Sequence, residues 1–116
     1  MVRIVFADSE PHIRQLFREE LREEGYDVQV AGEGGEVVRL VDSFHPDVVI
    51  LEVLLPDMSG LDTVRIIKGT EKATRIILYS NFNPPRNPAL FGADAYVVKS
   101  PNPDRLKEAV RRLLPN

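Results

Sequence analysis

Five short runs rich in β-branched and aromatic residues recur along the chain, and all but the fourth are followed by a stretch with helical periodicity. The runs are Val2–Ala7, Tyr26–Val30, Asp47–Glu52, Arg75–Tyr79 and Ala95–Val98. The first, third and fourth are almost wholly apolar, as strands buried on both faces of a parallel sheet must be. The second alternates, with Tyr26, Val28 and Val30 separated by Asp27 and Gln29, which suits an edge strand. Between the runs lie apolar stripes at helical spacing: Ile13, Leu16, Phe17 and Leu21; Val37, Val38, Val41 and Phe44; Leu61, Val64, Ile66 and Ile67; and Leu106, Ala109, Val110, Leu113 and Leu114. Pro11 stands where a first-turn proline is tolerated, Gly25 and Pro46 end their helices, and Asn102–Pro103 opens the last one. The segment from Asn81 to Gly92 breaks the pattern: Pro84, Pro85 and Pro88 leave room for only a short or degenerate fourth helix.

Strict alternation of this kind calls for an α/β fold: a doubly wound, five-stranded parallel sheet of flavodoxin-like order 2-1-3-4-5, with helices on both faces. With 116 residues the chain has room for one domain, residues 1–116, and none for two. It contains no cysteine, which excludes a disulfide framework, a thiolate metal site and a cysteine nucleophile. His12 and His45 lack ligand spacing. Fifteen basic residues against 18 acidic ones give a net charge of -3, so a nucleic-acid interface within this chain is not expected. Arg14, Arg18, Arg22, Arg111 and Arg112, with Glu19, Glu20, Glu23 and Glu24 beside them, read as a salt-bridged surface. No apolar run is long enough to cross a bilayer, and Met1–Phe6 reads as a strand with no signal-peptide cleavage region, so no membrane partner and a cytoplasmic location are expected.

In such sheets a site forms outside the carboxyl ends of the strands, where strand order reverses. The residues delivered there are Asp8, Ser9 and Glu10 after the first strand, Glu52 at the end of the third, Ser80 after the fourth and Lys99 after the fifth. Carboxylates with a hydroxyl and an ammonium could hold a hard cation and a phosphoryl group; equally, the acids could only cap a helix. Gly32-Glu33-Gly34-Gly35 lacks the lysine and spacing of a phosphate-binding loop and reads as a plain loop.

Three blocks in order, Ile4–Pro11, Asp47–Gly60 and Gly92–Lys99, make the chain resemble the receiver domain of two-component response regulators from end to end, with Pro56 and Gly60 four and eight residues after Glu52. The resemblance implies a non-enzymatic signalling module. In that family an aspartate at the Glu52 position takes a phosphoryl group from a histidine kinase. Magnesium is held by an acidic pair after the first strand, by that aspartate and by a backbone carbonyl. Positions Ser80 and Lys99 bind phosphoryl oxygens, Tyr96 is the aromatic switch, and the output face includes the helix before the last strand.

This chain departs from the family at four places. Glu52 replaces the acceptor aspartate and carries its carboxylate about 1.5 Å farther out, a misplacement that matters for in-line transfer. Ser9 replaces an acidic magnesium ligand, leaving Asp8 and Glu10 for weak magnesium binding at most; no other cofactor is implied. Lys99 is followed by Ser100 in place of proline, so a trans peptide bond is expected, and the helix before the last strand is broken. The expected function is therefore an atypical, pseudo-receiver-like module that is not phosphorylated in the usual way and acts through protein contacts, with a histidine kinase or a downstream output protein or domain as partner and a homodimer left open. In its pocket Lys99 either neutralises relic acids or, by pairing with Glu52 or Asp8, holds an active-like state in which Glu52 loosely imitates phosphoaspartate. One alternative is a working magnesium-dependent phosphoreceiver that regulates an output domain outside this chain. Another is a small flavodoxin-like cofactor-binding protein or enzyme, disfavoured because Asp8-Ser9-Glu10-Pro11 would repel phosphate.

Overall fold

In the computed structural model, which describes residues 1–83, 86 and 91–114, the apolar runs become five strands: β1 (Arg3–Ala7), β2 (Asp27–Ala31), β3 (Val48–Glu52), β4 (Arg75–Ser80) and β5 (Ala95–Val98). Among the described residues four helices accompany them: α1 (Pro11–Glu23), α2 (Gly34–Phe44), α3 (Gly60–Thr70) and α4 (Asp104–Leu113). All strand pairs are parallel, in the order β2-β1-β3-β4-β5. This is the expected doubly wound topology, with the alternating run β2 at one edge.

Two apolar layers enclose the sheet. Val5, Ala7, Val49, Leu51, Ile76 and Leu78 face Val37 and Val41 of α2 and Val64 and Ile67 of α3. On the other side Ile4, Phe6, Val48, Ile50, Ile77 and Tyr79 meet Phe17 and Leu21 of α1 and Leu106 and Val110 of α4. Side chains alternate along each strand, so a run apolar at every position feeds both layers. Two expected core residues differ: Leu16 is 41% exposed and Ile66 42%, because each lies at the margin of its helix stripe.

Local chemistry sets the element ends. Pro11 opens α1 and Gly25, at φ 92°, closes it by donating its N–H to the Arg22 carbonyl at 2.9 Å. His45 leaves α2 in the left-handed region at φ 52°, one residue before Pro46. Ser59 caps α3 by accepting from the Leu61 N–H at 3.1 Å. The Asn102 side chain accepts from Asp104 N–H at 2.9 Å and so caps α4. Gly34 and Gly35, expected in a loop, instead form the first turn of α2. The Asp57 carboxylate accepts from both of their N–H groups, at 2.8 and 2.9 Å, and supplies the cap that Glu33 does not. The short or degenerate helix expected between β4 and β5 falls on residues 84, 85 and 87–90, which lie outside the described residues.

The expected surface salt bridges are redistributed. Glu20 of α1 and Glu24, just past its end, reach across to Lys107 and Arg111 of α4, each at 3.0 Å. Arg14 instead turns inward, and among the described residues Arg18 and Arg22 form no ion pair. Glu20 and Glu24 are turned toward α4, whereas Arg18 and Arg22 lie with Glu19 on the surface beside Val30 of β2.

Candidate functional site

The parallel register brings the ends of β1, β3, β4 and β5 to one rim. Glu52 of β3 pairs in register with Tyr79 of β4, and Ser80 pairs with Val98, one residue before Lys99. Asp8 follows β1 directly and is held there by its N–H, which donates to the Ala31 carbonyl at 3.0 Å. Arg14 donates to the Asp8 carbonyl oxygen at 2.8 Å, fixing the same residue from α1.

Lys99 closes the pocket. Its Nζ lies 2.5 Å from Glu52 Oε1 and 3.1 Å from Asp8 Oδ2, so one ammonium bridges both carboxylates. Asp8 is wholly buried, while the side chains of Glu52 and Lys99 retain 12% and 19% exposure. Two acids brought together in so little water need a counter-charge, and Lys99 supplies it. The remaining oxygens are also engaged. Asp8 Oδ1 accepts from Glu10 N–H at 2.8 Å, and Glu52 Oε2 accepts from the Ser9 N–H and hydroxyl at 3.1 and 3.3 Å. Burial opposes the charged form of Lys99, but the hydrogen bonds to Glu52 and Asp8 outweigh it and hold the amine above its usual range.

Tyr79 is the residue that sequence reasoning missed. Its hydroxyl donates to Asp8 Oδ2, and its ring is buried against Phe6 and Phe17, with centroids 5.3 and 6.4 Å away. Lys99 Nζ stands 4.9 Å from the centre of the same ring. Burial, followed by the bond to Asp8, pushes the phenol far above its ordinary value, so the hydroxyl keeps its proton. The available signal was a lone polar tip in the apolar run Ile76-Ile77-Leu78-Tyr79, on the strand that pairs with Glu52.

The other candidates are placed less centrally. Glu10 is exposed and enters the site by its backbone N–H; its carboxylate does not join Asp8 as the acid left for weak magnesium binding, because Pro11 starts the helix immediately after it. Ser80 is buried, and its hydroxyl accepts from Phe82 N–H at 3.2 Å. Tyr96 is half-buried and donates to the Phe82 carbonyl at 3.4 Å. The backbone of Phe82 thus links Ser80 to Tyr96, while Lys99 N–H donates to the Ser80 carbonyl at 2.8 Å. The Lys99–Ser100 peptide is trans, as the absence of proline predicts.

The family model described as the response regulator receiver domain matches residues 4–111. The chain belongs to the response-regulator receiver family. Among curated relatives, the receiver is 36% identical over 118 residues to the transcriptional regulatory protein KdpE of Mycobacterium tuberculosis, a match covering 97% of this chain and 52% of KdpE. The chain spans about half the length of the curated relatives it matches. Among solved structures, the response regulator TrrA of Thermotoga maritima in complex with Mg(2+)-BeF is 43% identical with a TM-score of 0.90, covering 98% of this chain and all of that one. TrrA in complex with the histidine kinase ThkA matches with 42% identity and a TM-score of 0.90, covering 99% of this chain and 100% of TrrA.

Magnesium is the ion that family membership implies, and the residues present do not fit it. All four carboxylate oxygens of Asp8 and Glu52 already accept hydrogen bonds, and an ammonium sits between the two groups. Ser9 offers a neutral hydroxyl in place of a third carboxylate, and among the described residues no group of three or more potential acidic, histidine or cysteine ligands gathers anywhere. Nor does any helix among the described residues have the length and apolarity to cross a membrane.

Proposed function

We propose that this receiver domain signals through protein contacts without ordinary aspartyl phosphorylation. The observation that carries the reading is the Lys99 ammonium bridging Glu52 and Asp8, which satisfies internally the charges a phosphoryl group and its metal would otherwise meet. Glu52 is the acceptor-position residue, Asp8 and Ser9 form the acidic side of the pocket with Glu10 at its rim, and Ser80, Tyr96 and Lys99 are the switch positions. The partner is a protein, a histidine kinase or an output protein or domain; the ThkA–TrrA complex supports a kinase-facing surface on a closely similar fold. The working place of the domain is the cytoplasm. Incubation with a small phosphodonor and magnesium, read by intact mass, should leave the mass of the protein unchanged. A stable phosphoryl adduct that disappears in Glu52→Gln would overturn the proposal.

A second reading is favoured by the 43% identity to TrrA, which was solved with Mg(2+)-BeF: a working phosphoreceiver regulating an output domain outside this chain. The combined Glu52→Asp and Ser9→Asp substitutions separate the two. If the changed residues alone silence the site, the double variant gains a phosphoryl adduct that the parent lacks. If the parent is already competent, it carries the adduct without them.

A further inference from the structure

We infer that Tyr79 is the positioning residue that keeps this pocket closed to divalent cations. The inference rests on the proposed function above and deepens it, because it names what holds the pocket in its self-satisfied state. A lysine alone is a weak barrier: its four-carbon stem is flexible, and its side chain retains 19% exposure. A metal ion could displace it if the carboxylates beneath were free to rearrange. Tyr79 removes that freedom in two ways. Its hydroxyl occupies Asp8 Oδ2, the oxygen that Lys99 also contacts at 3.1 Å. Its ring, fixed by Phe6 and Phe17, lies under the ammonium at 4.9 Å and keeps the lysine over the pocket. Asp8 cannot swing away, since its other oxygen is held by Glu10 N–H and its backbone by Arg14 and Ala31. The hydroxyl is also the only part of Tyr79 that the apolar layer does not require, because Phe6 and Phe17 contact the ring.

Tyr79→Phe isolates this role, since the ring and its packing stay. Mn2+ binding, followed by the loss of the free-ion electron paramagnetic resonance signal, is measured on the wild type, Tyr79→Phe, Tyr79→Phe/Asp8→Asn and Lys99→Met. The expected result is that Tyr79→Phe binds Mn2+ at least about tenfold more tightly than the wild type, the loss of one hydrogen bond to a charged group. Adding Asp8→Asn should return binding to the wild-type level. Should Tyr79→Phe match the wild type while Lys99→Met takes up the ion, the lysine alone is the barrier and the inference is overturned. It is likewise overturned if Mn2+ uptake survives Asp8→Asn. Tight Mn2+ binding by the wild type itself, or a phosphoryl adduct on its Glu52, sinks the proposed function instead. If Tyr79→Phe does not fold, the wild-type proton spectrum decides: a slowly exchanging Tyr79 hydroxyl proton supports the lock, and its absence overturns it.

Discussion

At the scale of single residues, the pocket is a balance of charges out of water. Removing Lys99 leaves Asp8 and Glu52 facing each other with no counter-ion, so Lys99→Met should destabilise the fold by about 3 kcal/mol, measured by urea denaturation at neutral pH. Much of that loss should be recovered by adding Glu52→Gln, because the penalty comes from the uncompensated carboxylates and not from lost packing. The residues of this balance were legible in the sequence to different degrees. Asp8, Glu52 and Lys99 announce themselves because each ends a strand-like run, and the topology brings such ends together. Tyr79 does not, because in an apolar run an aromatic residue reads as core and its hydroxyl declares a partner only once Asp8 is seen beneath it. Glu10 shows the opposite case: charge and position put it with the acidic pocket, but the start of α1 leaves its side chain outside.

At the scale of elements, the loop after β3 determines where Glu52 stands. Gly60 donates its N–H to the Val53 carbonyl at 2.7 Å, and a Cβ at Gly60 would overlap the backbone of Glu52 and Val53. Gly60→Ala should therefore cost about 1–3 kcal/mol and shift the Glu52 amide resonance, because backbone atoms rather than flexible side-chain tips must give way. Asp57 fastens the other end of this loop to α2. The N–H groups of Gly35 and Gly34 hold its carboxyl below the ordinary value of 3.8. The stability it contributes is present above that value and is lost as the pH falls through the lower folded value. Hydrogen exchange at Gly34 and Gly35 should accelerate selectively in Asp57→Ala at neutral pH, with the wild type approaching the variant in acid. No sequence pattern exposes this clamp, since it joins a loop to the first turn of a helix 22 and 23 residues away, and the two come together only after the sheet has assembled. The strands, by contrast, were legible almost to the residue, because apolar runs bounded by Gly, Pro and charged residues leave little choice of register. Helix faces were legible except at Leu16 and Ile66, where a stripe of four positions is wider than the surface the sheet can cover.

For the whole molecule, alkaline pH is the condition that tests the network as a unit. Tyr79 and Lys99 are both raised in the folded protein above their ordinary values of 10.0 and 10.5. A group shifted upward lends stability that is complete below its unfolded value and lost as the pH climbs through the folded one. Thermal stability should consequently be insensitive to these two groups between pH 7 and 9 and should drop above about pH 10. Tyr79 should ionise only together with unfolding, as read by phenolate absorbance. In Tyr79→Phe the absorbance change that accompanies unfolding should vanish. Among the described residues β5 has β4 as its sole backbone neighbour in the sheet, yet the residue that follows it reaches over β4 to clasp groups on β3 and beyond β1. Outermost strands are the first to peel when a sheet frays. Here a single cationic rivet fastens that selvedge to the middle of the cloth, so an anionic competitor that drew the rivet out would loosen Ala95–Val98 while leaving the other four strands stitched.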